Sequence, residues 1–201
     1  MESKEHHLTR FHLILLMFFL FISGCAQKIS PSKQQISDWK VLLQSQSTWQ
    51  ASGKLAFISN TDRQSANFNW QYIDSKQQLI LTSFIGTRIL SLKELAQHSE
   101  LQYDGNTYVD TNSQQLVKRL SGLDLPVAQA PAWLTGTVDN PTNQYDAQGR
   151  LTSSAWTDEN GQLWQAHYQQ FSLVEGMWLP TRMNLSHDKV RIKIQLNSWQ
   201  F

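Results

Sequence analysis

The chain has 201 residues and a formal net charge of +1, from 17 Lys and Arg against 16 Asp and Glu. This balance argues against a nucleic-acid-binding protein, which would need a clustered basic surface. The length suits one domain with a substantial core, and a single cysteine means that no internal disulfide can hold it together.

The first predicted element is a bacterial lipoprotein signal peptide at residues 1–24. Lys4 and Arg10 give it a positively charged start, and the apolar run that follows is shorter than a bilayer span of about 20 residues. Cys25 comes next, directly after two small residues, where such proteins are cut and triacylated. Because residue 26 is Ala and not Asp, we expect delivery to the outer membrane. The alternative is an ordinary signal peptide or short membrane anchor, with Cys25 a stray thiol.

Residues 25–33 are polar and predict a lipidated tether, which leaves residues 34–201 as a single domain. Ser32 has capping-box spacing to residue 35, so a helix is predicted to begin there. Its apolar residues fall on one side of the helix, which should lie over an apolar surface. They are Ile36, Trp39, Leu42 and Leu43.

Alternation of apolar and polar residues then predicts a series of strands. The predicted strands cover residues 51–57, 66–72, 79–81, 89–92, 101–103, 107–109, 151–156, 163–171 and 190–196. Asp104-Gly105 is a strong hairpin signal. Because hairpins join the strands and no βαβ pattern repeats, the sheet should be antiparallel.

Two short helices are predicted in the middle of the chain. Ser113 is the expected N-cap of the first, which Gly122 ends. The second is expected from Pro126 to Leu134, with Pro131 limiting its length and Gly136 just beyond it. The predicted fold class is therefore mainly β (α+β): an incompletely closed, curved antiparallel β-barrel with a short helical lid over an apolar cavity. Periodicity alone does not distinguish such a cavity from a filled core.

The sequence contains none of the short motifs that would indicate an enzyme. It has no H-E-x-x-H spacing, no G-x-S-x-G element, no P-loop and no dinucleotide-binding glycine motif. We therefore predict no catalytic residue, no metal and no cofactor. A hydrolase whose catalytic residues come from distant parts of the chain stays open as an alternative.

Several local motifs, in order, resemble the outer-membrane lipoprotein receptors of the LolB family over essentially the whole chain after Cys25. These are Trp39, GKLAF at 53–57, FNW at 68–70, IG at 85–86, YDG at 103–105, LPV at 125–127, AWLTG at 132–136, Tyr168, LP at 179–180, RIKI at 191–194 and Trp199.

The resemblance implies a half-open barrel similar to the soluble periplasmic carrier LolA. It also implies that the protein accepts triacylated lipoproteins from LolA and inserts them into the inner leaflet of the outer membrane, without nucleotide or metal. The protein would be a monomer on the periplasmic face of a Gram-negative outer membrane, held in the lipid by acylated Cys25. A competing hypothesis is a tethered interaction module for envelope assembly that has no lipid cavity.

The resemblance also assigns a membrane-insertion loop, formed by Phe84, Ile85 and Gly86. Ile85 stands where the family projects an exposed aliphatic residue, and Phe84 replaces the family's proline. The alternative is that Phe84 and Ile85 end a buried strand. Strand phase and lid position suggest six residues that line the acyl-chain cavity or belong to an ordinary core: Leu55, Phe57, Trp70, Leu81, Trp133 and Ile194.

Overall fold

Eleven antiparallel strands form one sheet in the computed structural model, which describes residues 33–201. They are β1 (Thr48–Ile58), β2 (Arg63–Ile73), β3 (Lys76–Thr82), β4 (Arg88–Glu94), β5 (Ser99–Tyr103), β6 (Asn106–Asp110), β7 (Gln144–Tyr145), β8 (Leu151–Thr157), β9 (Leu163–Val174), β10 (Met177–His187) and β11 (Val190–Gln200). The strand order is β6-β5-β4-β3-β2-β1-β11-β10-β9-β8-β7, so the sheet ends on β6 and β7 and does not close on itself. The predicted fold class, an incompletely closed antiparallel barrel, is confirmed.

The pairing of β1 with β11 joins the first and last strands at the centre of the sheet. The register shifts between Ser52 and Gly53, where the two backbones come close together. A Cβ atom on Gly53 would lie 2.0 Å from the carbonyl oxygen of Gln195, so only glycine fits at this position.

Alternation along the strands separates an inner face from an outer face. On β1, Ala51, Leu55 and Phe57 point inward and are buried, whereas Lys54 points outward and is exposed. The inner residues of the other long strands join the same hydrophobic core. This core lies between the curved sheet and the helices.

Three helices accompany the sheet among the described residues: α1 (Lys33–Gln44), α2 (Ser113–Ser121) and α3 (Ala130–Thr135). On α1, Trp39 and Leu43 are buried, as predicted. Leu42 is 40% exposed, so its predicted place on the buried side was wrong. The buried stripe of this helix is narrower than the helical wheel suggested.

The ends of α2 and α3 correct two predictions. The N-cap of α2 is Asn112 and not Ser113, because the Asn112 side chain accepts a 2.8 Å bond from the backbone N–H of Gln115. The second helix begins at Ala130 and not near residue 126. Both predicted C-terminal glycines, Gly122 and Gly136, end their helices with positive φ angles.

Sequence reasoning missed two strands, β7 and β10. Strand β7 has only two residues and carries no periodic signal. In β10 the register with β9 shifts at Pro180 and Arg182, which breaks the alternation of apolar residues. The strand is long, but a period-two pattern does not run through it.

Residues 31–201 form a compact unit with its own core, so a protein that begins after Cys25 should fold by itself. The predicted signal peptide and Cys25 lie outside the described residues. Within residues 33–201, no helix is both long and apolar enough to span a bilayer.

Candidate functional site

The six predicted cavity residues all lie in the buried core between the sheet and the lid, which is formed by α2 and α3. Leu55 and Ile194 are cross-strand partners on β1 and β11. Trp70 of β2 meets Trp133 of α3 edge to face, with ring centroids 5.4 Å apart. The lid therefore packs directly on the inner face of the sheet, and their role as cavity lining stays a prediction.

Helix α3 is attached to the sheet through the tryptophan that it buries. The indole N–H of Trp133 donates to the carbonyl oxygen of Pro126 at 2.8 Å, which fixes the ring. The Tyr168 hydroxyl, on β9, donates to the carbonyl oxygen of Trp133 at 2.8 Å. Burial raises the pKa of Tyr168 far above its usual range, so this hydroxyl keeps its proton for the bond.

Helix α2 is attached differently, through a buried polar cluster. The Gln114 side-chain amide donates to Asp124 at 2.9 Å, to Asp158 at 2.7 Å and to Gln162 at 3.0 Å. Asp158 also accepts a 2.9 Å bond from the indole N–H of Trp164. Burial works against the charge of Asp158, but these bonds and those from the backbone of the β8–β9 turn outweigh it and lower its pKa.

A second polar group, which we call the Gln77 latch, joins the lid to strands β2 to β4 and consists of Gln77, Glu94 and Ser113. The Gln77 side-chain oxygen accepts a 2.8 Å bond from Trp70, and its nitrogen donates to Glu94 and, at 2.9 Å, to the carbonyl oxygen of Val127. Glu94 in turn accepts a 3.1 Å bond from the Ser113 hydroxyl. Burial raises the pKa of Glu94 above its usual value, against these two side-chain bonds.

The sequence analysis missed the Gln77 latch, although a signal for it was present. Gln77 shares the inward phase of β3 with Leu79 and Leu81, and it is buried like them. A glutamine on the apolar side of a strand needs a hydrogen-bonding partner in the core. In this protein one of those partners, the carbonyl oxygen of Val127, lies between the two lid helices, and another, Glu94, is itself bonded to Ser113 of α2.

A cleft of about 730 Å³ opens where α2 ends beside the β1–β2 and β10–β11 turns. Phe57 and Val190 give it an apolar part, and the 2.7 Å ion pair between Lys118 and Asp124 lies on its lid side. Since Phe57 also belongs to the core under the lid, the cleft is a place where that core approaches solvent.

The loop between β3 and β4 presents two apolar side chains to solvent. Phe84 is 91% exposed and Ile85 is 73% exposed, so they do not end a buried strand. The loop is closed by a 3.0 Å bond from Gly86 N–H to the Ser83 carbonyl oxygen, with Gly86 at φ +88°. Asn67 of β2 donates to the same carbonyl oxygen at 3.1 Å, which holds the loop on the sheet.

The described residues contain no group of three or more His, Cys, Asp or Glu side chains placed to hold a metal ion. The site consists of a lid-covered apolar interior, a cleft beside the lid and an exposed apolar loop. These features are suited to binding an apolar ligand.

This open antiparallel half-barrel with short helices over its inner face is similar in fold to two solved structures. A LolA superfamily protein from Nitrosomonas europaea has a TM-score of 0.55 at 8% identity, over 84% of this chain and 92% of that protein. A putative outer membrane lipoprotein-sorting protein domain from Vibrio parahaemolyticus also gives 0.55, at 10% identity, over 83% of this chain and 91% of that domain.

The chain belongs to the outer membrane lipoprotein LolB family, whose model matches residues 47–199. It is 54% identical to the outer-membrane lipoprotein LolB of Pseudoalteromonas translucida over the full length of both chains. The corresponding protein of Psychromonas ingrahamii is 32% identical over 92% of this chain and 93% of its own. The resemblance identified from the sequence is thereby confirmed.

Proposed function

We propose that this lipoprotein-sorting protein is an outer-membrane receptor that accepts triacylated lipoproteins from the carrier LolA and inserts them into the inner leaflet of the outer membrane. The observation that carries the proposal is the exposed Phe84–Ile85 loop on the same sheet as a lid-covered apolar interior. The proposal places residues 1–24 in a signal peptide, residues 25–33 in a tether acylated at Cys25, and the receptor on the periplasmic face as a monomer.

The energetics of acyl chains explain why such a receptor needs an apolar interior. Each buried CH₂ contributes about 0.8 kcal/mol, so three chains cannot cross water unshielded at a useful rate. A receptor that offers an apolar surface like that of the carrier makes the exchange nearly balanced, and the direction then depends on differential affinity. No nucleotide is required.

In this mechanism the lid moves away from the inner face of the sheet, and the acyl chains of the cargo bind where the lid was in contact with it. The six residues Leu55, Phe57, Trp70, Leu81, Trp133 and Ile194 would then contact the chains. Helix α2 is the element that moves, because water can replace the polar bonds that attach it, whereas α3 is attached through buried Trp133. The cleft beside α2 is where the chains would enter.

Acceptance of cargo is tested with a soluble form that lacks residues 1–25. We expect this form to take a triacylated lipoprotein from LolA in the absence of membranes, which is measured by co-purification of the cargo with the receptor. A cargo without acyl chains is the control and should not transfer. A well-folded soluble form that takes no acylated cargo would contradict the proposal and would favour an interaction module without a lipid cavity.

Membrane insertion is tested separately with Ile85→Glu in the same soluble form. We expect acceptance of cargo to stay intact and insertion into vesicles to fall at least tenfold, because a charge in the loop opposes its entry into hydrocarbon by about 2.5 kcal/mol or more. Val109→Glu is the matched control, since Val109 is also an exposed apolar residue but lies on edge strand β6. Equal insertion by the Ile85 variant and the parent would remove the loop from the mechanism.

A further inference from the structure

The outer face of the sheet carries a strongly uneven distribution of charge. Strands β1, β2, β9, β10 and β11, which form its centre, contain no Asp or Glu. They contain five cations, all exposed: Lys54, Arg63, Arg182, Arg191 and Lys193. The whole chain is nearly neutral at +1, so this face is a local feature and not a consequence of overall charge.

Three of these cations line a trough of about 590 Å³ on the outer face, which we call the cationic trough. Lys54 lies on β1, Lys193 on the neighbouring β11 and Arg182 on the next strand, β10. Among the described residues that line the trough, none carries a carboxylate, and amide side chains such as Asn184 and Gln195 provide further hydrogen-bond donors.

The strand register brings the three cations close together. Lys54 of β1 and Arg182 of β10 both pair with Gln195 of β11, and Lys193 lies two residues before Gln195 on β11. Lys193 is therefore a diagonal neighbour of both Lys54 and Arg182. Diagonal neighbours of this kind lie roughly 7 Å apart, within reach of long side chains. The ion pairs found in the described part of the chain involve other residues, so these three charges are not neutralised within it. Like charges at this spacing repel each other, and a bound anion would remove the repulsion.

The exposed aromatic side chain of Phe84 also lines the cationic trough. An apolar side chain that can enter hydrocarbon, beside cations that can reach phosphate, is the combination that binds a protein to the surface of an anionic bilayer. An acidic protein surface would complement the cations but would give no role to the exposed phenyl ring.

We propose that the cationic trough binds the headgroups of anionic phospholipids and so holds the outer face of the sheet against the membrane where the Phe84–Ile85 loop enters it. The proposal rests on the proposed function for the role of the loop, but not for the binding of headgroups. The amide and cationic side chains would bind phosphate oxygens, while Phe84 contacts the acyl region beneath them.

The test uses the soluble form that lacks residues 1–25 and measures its binding to vesicles in a flotation assay. One vesicle contains phosphatidylcholine alone, and the other contains equal parts of phosphatidylcholine and phosphatidylglycerol. We expect the parent to prefer the anionic vesicle at low salt. The variant Lys54→Gln/Arg182→Gln/Lys193→Gln should lose this preference by about 100-fold, since each cation near an anionic surface contributes about 1 kcal/mol.

A second triple variant, Lys76→Gln/Lys93→Gln/Lys189→Gln, removes the same number of exposed positive charges outside the cationic trough. It should retain most of the preference for the anionic vesicle. Equal losses in the two triple variants would show that only net charge matters and would overturn the proposal. A separate variant, Phe84→Ser, should weaken binding to both vesicles by a similar factor.

Transfer of cargo from LolA without vesicles distinguishes the two proposals. The trough variant should accept cargo as the parent does. If it lost acceptance and kept its preference for anionic vesicles, the trough would be a docking surface for the carrier and the headgroup site would be wrong. If the parent accepted no cargo but the trough variant still lost the vesicle preference, the receptor proposal would fail and the headgroup site would stand.

Discussion

Glu94 is a carboxylate whose protonation state affects the hydrogen bonds that attach the lid to the sheet. Its carboxylate accepts bonds from Gln77 and Ser113, and burial raises its pKa above the usual value of 4.5. The folded state therefore holds the proton more tightly than the unfolded chain does. The stability that this gives is complete below pH 4.5 and is lost as the pH rises through the folded pKa.

Glu94→Gln should remove this part of the pH dependence, because an amide does not titrate. Its oxygen can accept the bond from Gln77, and its nitrogen can donate to the Ser113 hydroxyl, which also accepts. We expect the free energy of unfolding of the variant to fall less than that of the parent as the pH rises from 4.5 through the folded pKa of Glu94, as measured by urea denaturation. Glu175→Gln, in the exposed β9–β10 turn, is the control for loss of one negative charge. Parallel pH profiles for the parent and Glu94→Gln would contradict the prediction. Asp146 and Asp158 do not interfere, since their pKa values are lowered and their contribution is lost below pH 3.8.

At the scale of elements, the two lid helices differ in what attaches them to the sheet. Helix α3 buries Ala130, Trp133 and Leu134, whereas α2 combines buried Leu116 and Val117 with the polar cluster around Gln114. Polar bonds at a lid can be exchanged for bonds to water when the lid opens, but buried aromatic contacts cannot. This difference is the reason to expect that α2 opens first.

Gln114→Leu should loosen α2 selectively, because it leaves Asp124 and Asp158 buried without a shared donor. The substitution should lower the free energy of unfolding by about 1–3 kcal/mol. Relative to the parent, we expect amide hydrogen exchange to become faster in α2 than it does in the central strands β1 and β11. Gln115→Leu is the matched control on the same helix, since Gln115 is exposed and its bond to Asn160 lies at the surface. If exchange in α2 of Gln114→Leu stayed at the parent's rate, the hydrogen bonds of the polar cluster would not be what attaches this helix to the sheet.

Most elements were predictable from local signals, and each feature that was missed has its own physical cause. Alternation identified β11 because Ile192, Ile194 and Leu196 face one side without interruption. It failed for β10 because the irregular register at Pro180 shifts the phase within the strand. The loop at Phe84 and Ile85 was predicted from the family resemblance, and its exposure could not be read from periodicity. The Gln77 side chain bonds to the Val127 carbonyl oxygen, 50 positions away in sequence, and although a buried glutamine indicates that a partner exists, no local pattern identifies a partner so distant.

At the scale of the whole molecule, the anchor and the receptor domain have separable tasks in the proposed mechanism. Residues 31–201 form a compact unit, and the described residues of its hydrophobic core begin at Trp39, on the first helix. A tether raises the effective concentration of the domain at its own membrane without creating a new contact. The anchor should therefore determine which membrane receives the cargo, while the interior and the Phe84–Ile85 loop determine whether transfer occurs.

Deleting residues 1–25 should consequently preserve insertion but remove its selectivity. The measurement mixes vesicles that carry the acylated full-length receptor with empty vesicles of the same lipid, adds cargo bound to LolA, and then separates the two populations. We expect the anchored receptor to deliver cargo mainly to its own vesicles, because the tether keeps the loop within reach of that surface. The soluble form, added at equal amount, should distribute cargo between the two populations in proportion to their lipid. A soluble form that accepts cargo but inserts none would show that the anchor takes part in the transfer step itself, since the loop and the interior would then be insufficient.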